Sequence, residues 1–120
     1  MGADALPPDR RNLLSYVERL PRFGPRDAYV WREGVRWRHR TYVELHRRIL
    51  SCAAILRDAG LRPGDPVLVQ GPDGADWVES LLGTFWAGGV AVPLETGTPG
   101  DLRALIASRC AARLFLAPAG

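Results

Sequence analysis

Val67-Leu68-Val69 is the stretch that most restricts what this chain can fold into. Three consecutive apolar, largely β-branched residues stand between Pro-Gly-Asp-Pro (63–66) and Gln-Gly-Pro-Asp-Gly (70–74). Such a run, bounded by turn formers, reads as a short strand covered on both faces. The flanking segments supply helices to cover it. Upstream, Leu45, Ile49, Cys52, Ala53 and Leu56 fall on one helical stripe, and downstream Trp77, Val78, Leu81, Leu82, Phe85 and Trp86 form a broader one. A second strand at Val90–Leu94, a helix carried by Leu102, Leu105 and Ile106, and a last strand at Arg113–Ala117 extend the alternation. Alternating strands and helices predict an α/β fold, a parallel sheet with helices on its faces.

Boundary signals refine this order. Leu13, Leu14, Val17 and Leu20 predict a helix from Asp9 to Leu20, stopped by Pro21, after a flexible start at 1–8. Thr41-x-x-Glu44 is a capping box, and Gly60 is the left-handed stop of the same helix. Glu44 and Arg48 are spaced to pair across one turn. Asp73 reads as a helix cap rather than a ligand residue, and Thr98, Pro99 and Asp101 read as cap, first-turn proline and acidic third position.

The segment WREGVRWRHRTYVEL (31–45) interleaves two tryptophans with arginines at 32, 36, 38 and 40. Such mixtures can grip single-stranded nucleic acid when both kinds of side chain share an exposed face. Glu33-Gly34 is a turn signal, which predicts a β-hairpin of strands 28–31 and 35–40. Alternation then places Val35, Trp37 and His39 on a dry face and Arg36, Arg38 and Arg40 on a wet one. That separation, with a net charge of only +3, argues against a nucleic-acid partner.

Composition excludes some chemistry. All sixteen basic residues are arginine. Without lysine there is no Walker-type phosphate loop and no Schiff base. Thr96-Gly97-Thr98 only faintly suggests a phosphate loop, and Asp73 and Asp76 would repel a phosphate at the start of their helix. Cys52 and Cys110 are too far apart in sequence for a metal-binding pair and read as small buried thiols; His39 and His46 lack a third ligand. No apolar run approaches the ~20 residues of a membrane span. No export signal core stands at the start, and position 6 is Leu where a myristoylation site wants Ser or Thr, so the expected location is cytoplasmic.

RTYVEL (40–45) resembles the first core motif of the adenylate-forming (AMP-binding) ligases, a Thr-Tyr-x-Glu-Leu. AGLRPGDPVLVQGPDGADWVESLLGTFWAGGVAVPLE (59–95) is similar to the next block of that superfamily, with Gly60, Gly64, Asp65, Val67, Trp77, Ala87, Gly88, Pro93 and Leu94 matching in order and spacing. GDLRALIASRCAARLFLA (100–117) resembles the helix and strand that follow. Asp73 stands where the family usually has Asn, and Glu95 where it has Asp. The phrasing looks most like the acyl-CoA synthetase branch, including enzymes acting on fatty acids.

The resemblance implies that residues 1–120 are a partial amino-terminal region of an adenylation domain: part of a larger doubly wound sheet with flanking helices, preceded by a β-hairpin. The implied parent reaction joins a carboxylic acid to ATP as an acyl-adenylate, releasing pyrophosphate; a thiol, usually coenzyme A, then displaces AMP to give a thioester. ATP, Mg²⁺ and coenzyme A are implied for the full-length parent, and the family's triphosphate loop and adenylating lysine are expected in later sequence. No catalytic, cofactor-binding or metal-binding residue is therefore assigned here, and the remainder of the adenylation domain is the expected partner. The sheet is expected to leave an open edge after its last strand, which makes an isolated chain marginal and prone to association. Two alternatives stay open: a self-contained flavodoxin-like module for a small ligand, and a non-catalytic partner that docks on a separately encoded remainder.

Overall fold

The computed structural model describes residues 12–117. The flexible start at 1–8 and the expected first residues of the opening helix, 9–11, lie outside the described residues. Within them, α1 spans Leu13–Arg19 and opens on Asn12, whose side chain accepts the Ser15 N–H at 2.9 Å. A 3-10 turn over Leu20–Phe23 follows, with Pro21 in its first turn ending the α-helical path. Then come β1 (Asp27–Glu33), β2 (Arg36–Thr41), α2 (Tyr42–Asp58), β3 (Pro66–Gln70), α3 (Ala75–Trp86), β4 (Val90–Leu94), α4 (Gly100–Cys110) and β5 (Leu114–Leu116). This is the alternating order expected from sequence.

β1 and β2 form a separate antiparallel hairpin, and the other three strands form a parallel sheet in the order β4-β3-β5. The central position of β3 explains its apolar run: Val67, Leu68 and Val69 are all buried. Val67 and Val69 meet Ala53 and Leu56 of α2, together with Leu61 and Ala87. A second cluster of Val17, Leu45 and Ile49 joins α1 to α2, with Tyr29 of the hairpin and Leu82 of α3 packed against it.

The capping box of α2 is complete. Glu44 N–H donates to Thr41 Oγ1 at 3.1 Å, and Thr41 N–H donates to a Glu44 carboxylate oxygen at 3.2 Å. Accepting from Thr41 holds the Glu44 carboxyl below its ordinary pKa. Glu44 is thus engaged at the cap, and Arg48 pairs elsewhere, with Glu79 and Asp76, instead of across one turn with Glu44. At the far end Gly60 adopts φ +99°, and Leu61 N–H closes the helix on Leu56 O at 3.0 Å.

Three sequence expectations are corrected. α3 opens at Ala75, one residue later than an Asp73 cap requires; its cap position is Gly74, which has no side-chain acceptor. α4 opens at Gly100 with Pro99 at the cap position, so Thr98 is not a cap; its N–H bonds Glu95 O at 3.0 Å in the preceding turn. The broad apolar stripe of α3 is only partly buried, and the face that packs tightest is Ala75, Glu79, Gly83 and Thr84. Small residues win that face because α2 comes close there: a Cβ built on Gly83 would stand 2.6 Å from Cys52 Cβ.

Candidate functional site

In doubly wound folds the place to look is the carboxyl end of the parallel strands. Here β3 runs out into Gly71-Pro72-Asp73 and β4 into Glu95-Thr96, and with Trp77 these residues line a mouth of about 530 Å³. One buried side chain shapes its rim. Gln70, the last residue of β3, donates through Nε2 to the carbonyl oxygens of Glu95 (2.8 Å), Thr96 (3.3 Å) and Thr98 (3.2 Å). Its Oε1 accepts from the Arg103 guanidinium at 2.9 Å, and Arg103 lies over the Phe115 ring, 4.8 Å from its centroid. One amide therefore ties β3, the loop after β4, and α4 together. The mouth carries the carboxylates of Asp73 and Glu95 and no basic side chain. That charge does not suit a triphosphate. Among the described residues, no group of three or more His, Cys, Asp or Glu could hold a metal ion. The residues present do not fit an ATP–Mg²⁺ site by themselves.

The second polar centre is Glu79, 4% exposed in the middle of α3. Its carboxylate accepts from Arg40 Nε at 2.7 Å, Arg48 Nε at 2.9 Å and the Tyr29 hydroxyl at 3.0 Å. Asp76, one turn earlier, lies 3.6 Å from both guanidinium groups. Two carboxylates and two guanidiniums thus balance, and every donor aimed at Glu79 is engaged. Burial first, and then the Glu79 charge, push the Tyr29 phenol far above its ordinary value; the same two causes raise the Cys52 thiol. The hydrogen bond to Glu79 also raises the Arg48 guanidinium. This ionic hub fastens the hairpin to α3, since Tyr29 belongs to β1 and Arg40 to β2.

The hub overturns the expected facing of the hairpin. Arg40 points inward, and Trp37 is 71% exposed. The inner face carries Tyr29 and Trp31, with the Arg40 guanidinium 5.5 Å from the Trp31 ring centroid. A buried carboxylate on the opposing helix, rather than the alternation of aromatics, decides which face turns in. Arginines and tryptophans therefore do share faces, contrary to the separation inferred from spacing. Two of these arginines meet carboxylates, Arg38 with Glu33 at 2.8 Å and Arg40 in the hub; Arg32 Nε donates to Gly34 O at 3.0 Å, and His39 Nδ1 lies 2.7 Å from Asp27 Oδ1. Cys52 and Cys110 are free thiols, both partly rather than fully buried.

Sequence reasoning assigned no site residue, and it passed over Gln70 and Glu79. A signal for Glu79 was present: Ala75, Glu79 and Gly83 recur every fourth residue on a largely apolar helix. A line of small residues interrupted by one acid marks a close helix contact that carries a charge. Gln70 has no such signature. Among the described residues no helix is long and apolar enough to cross a membrane.

Comparisons with known proteins bear on this arrangement. The profile of a family described as "AMP-binding enzyme" matches residues 17–119. Phenyloxazoline synthase MbtB of Mycobacterium sp. (strain MCS) is 42% identical over 77 residues, covering 64% of this chain and 7% of that protein. Feruloyl-CoA synthase of Amycolatopsis sp. is 39% identical over 85 residues, covering 71% of this chain and 17% of that protein. In three dimensions, the fatty acid AMP ligase from Legionella pneumophila shares the fold, with a TM-score of 0.80 and 23% identity over 96% of this chain and 21% of that one. The chain thus spans less than a fifth of the length of these two curated relatives.

Proposed function

The chain belongs to the AMP-binding enzyme family, and from that premise we propose that it is the amino-terminal scaffold of an ATP-dependent acid–thiol ligase of the acyl-CoA synthetase kind. The parent reaction forms an acyl-adenylate and pyrophosphate from a carboxylate and ATP, then a thioester as a thiol displaces AMP. ATP, Mg²⁺ and coenzyme A belong to that parent, with a cytoplasmic location. In this reading the 120 residues provide framework, and the remainder of the adenylation domain provides the reactive groups.

The observation that carries the proposal is the family match over 17–119 beside a strand-end mouth that holds two carboxylates and no cation. Stabilising the charge that develops on a transferring phosphoryl group takes cations or a metal aimed at it. The arginines of the two polar centres are engaged: Arg103 with Gln70 and Phe115, Arg40 and Arg48 with Glu79. This chain's contribution is to set the rim through Gln70 and to hold the hairpin against α3 through Glu79.

The test measures pyrophosphate release with ATP, Mg²⁺ and a panel of fatty and aryl acids. It is run on the 120-residue chain alone and on a single-chain chimera joining it to the rest of a relative's adenylation domain. The expected result is silence from the chain alone and, from the chimera, release followed by thioester formation when coenzyme A is added. Release by the chain alone would overturn the proposal. Saturable nucleotide or flavin binding by the chain alone in calorimetry would overturn it in favour of a self-contained binding module.

A further inference from the structure

Gln70 is 8% exposed, and its amide can lie in its place in two orientations, of which its neighbours accept only one. Arg103 carries donors and no acceptor, so Oε1 must face it. The oxygens of Glu95, Thr96 and Thr98 are acceptors only, so Nε2 must face them. Turned over, the amide would set its oxygen against three oxygens and its N–H groups against a guanidinium. Arg103 is therefore the group that aims the Nε2 donors at the loop after β4. It is itself seated over the Phe115 ring of β5. Glu95 and Thr96, held in this way, form one wall of the strand-end mouth. Pro72, Trp77, Pro93 and Leu94 line the rest of it, and its charged side chains are the carboxylates of Asp73 and Glu95. Such a surface turns phosphates away and offers contact to a hydrocarbon or aromatic body.

We infer that Arg103 is a positioning residue for the acid substrate: acting through Gln70, it holds the 95–98 loop as the wall against which the uncharged body of a fatty or aryl acid lies, with ATP held elsewhere. The inference rests on the reading that the chain is part of an acid–thiol ligase. It sets an order among substitutions at one position. Arg103→Lys keeps a cationic donor toward Oε1. Arg103→Met keeps a stem against Phe115 and removes the donor, so only the carbonyl groups hold the amide. Arg103→Glu puts acceptors where donors stood, which draws Nε2 away from the loop and presents Oε1 to it. A residue that served only to pack on Phe115 would be replaced best by methionine, the reverse of this order.

The test uses glutamyl endopeptidase on the 120-residue chain and on the single-chain chimera. Cleavage after Glu95 reads the loop, and cleavage after Glu44 and Glu79, inside α2 and α3, reads global unfolding. Cleavage after Glu95 should stay within about twofold of the parent for Arg103→Lys, rise about threefold for Arg103→Met and rise about tenfold or more for Arg103→Glu, with Glu44 and Glu79 unchanged. Gln70→Glu leaves Arg103 in place and turns a carboxylate oxygen to the three carbonyl groups; it should match Arg103→Glu and stands in for it if that variant does not fold. In the chimera, Arg103→Glu should raise KM for the acid about tenfold and leave KM for ATP within about twofold, and Arg103→Lys should restore both. Methionine outperforming lysine, equal changes in the two KM values, or a released loop with KM for the acid unchanged overturns the inference. So do rises at Glu44 and Glu79 that match the rise at Glu95, which would make Arg103 a residue of general stability. A parent chimera silent with every acid sinks the ligase reading and the acid assignment with it, while the order of cleavage still decides whether Arg103 holds the loop.

Discussion

Replacing Glu79 by glutamine removes the charge from the hub and keeps its shape. The cost follows from which partners are left behind. Arg48 is 50% exposed at its side chain, so water takes over much of that contact, and the loss is that of a surface pair, about 0–1 kcal/mol. Arg40 is 14% exposed and loses its close carboxylate, keeping only Asp76 at 3.6 Å. Stranding a buried charge costs about 3–5 kcal/mol, and the residual Asp76 contact places Arg40 at the low end of that range. Tyr29 can still donate to the amide oxygen and adds little. The sum is a loss of about 3–4 kcal/mol. With urea slopes of about 1–3 kcal/mol/M for small proteins, the midpoint should fall by about 1 M or more. Equilibrium urea unfolding followed by tryptophan fluorescence measures this. The double variant Glu79→Met with Arg40→Met removes both charges at once and should lie within about 1 kcal/mol of the parent. A loss under about 1 kcal/mol for Glu79→Gln, or a double variant as unstable as the sum of its single changes, would refute the account.

Three further outcomes can be measured the same way. Gly83→Ala places a methyl group 2.6 Å from Cys52 Cβ and 3.2 Å from the Ile49 carbonyl oxygen, and should cost about 1–3 kcal/mol, part of it recovered by adding Cys52→Gly. Ala111 ends α4 at φ 59°, so Ala111→Gly should raise stability by about 1 kcal/mol. The folded-state pKa of the Tyr29 phenol is raised above its ordinary 10.0, so its contribution is fully present below pH 10 and is lost as pH rises beyond. Urea midpoints measured across that range should fall less steeply for Tyr29→Phe than for the parent.

Much of this architecture was legible from residue pattern. The buried centre of the sheet could be read from Val67-Leu68-Val69, an apolar run between two clusters of turn formers, which favours a strand covered on both faces. The start and stop of α2 were legible because Thr41, Glu44 and Gly60 act locally. The starts of α3 and α4 were not. Asp73 and Thr98 have cap-forming side chains, but each helix starts one residue later, and local chemistry does not set that register. Hairpin facing failed for a related reason. Alternation says which residues share a face; the choice of face turned on Glu79, roughly forty positions beyond Arg40 in the sequence. Hydrophobicity alone also misjudged α3, where close approach to α2 favours Gly83 and Ala75 over the large side chains. Gln70 could not be singled out beforehand, since its role depends on three carbonyl groups that lie near it only after β4 has paired with β3.

The three-way grip of Gln70 separates the path of the 95–98 loop from the loop's own letters. Its course is dictated by a neighbour's amide reaching main-chain oxygens, which every amino acid possesses. Side chains there can be exchanged to suit whatever approaches the opening while the ribbon beneath keeps its contour, whereas shortening the amide by one carbon, to asparagine, would let that contour go slack.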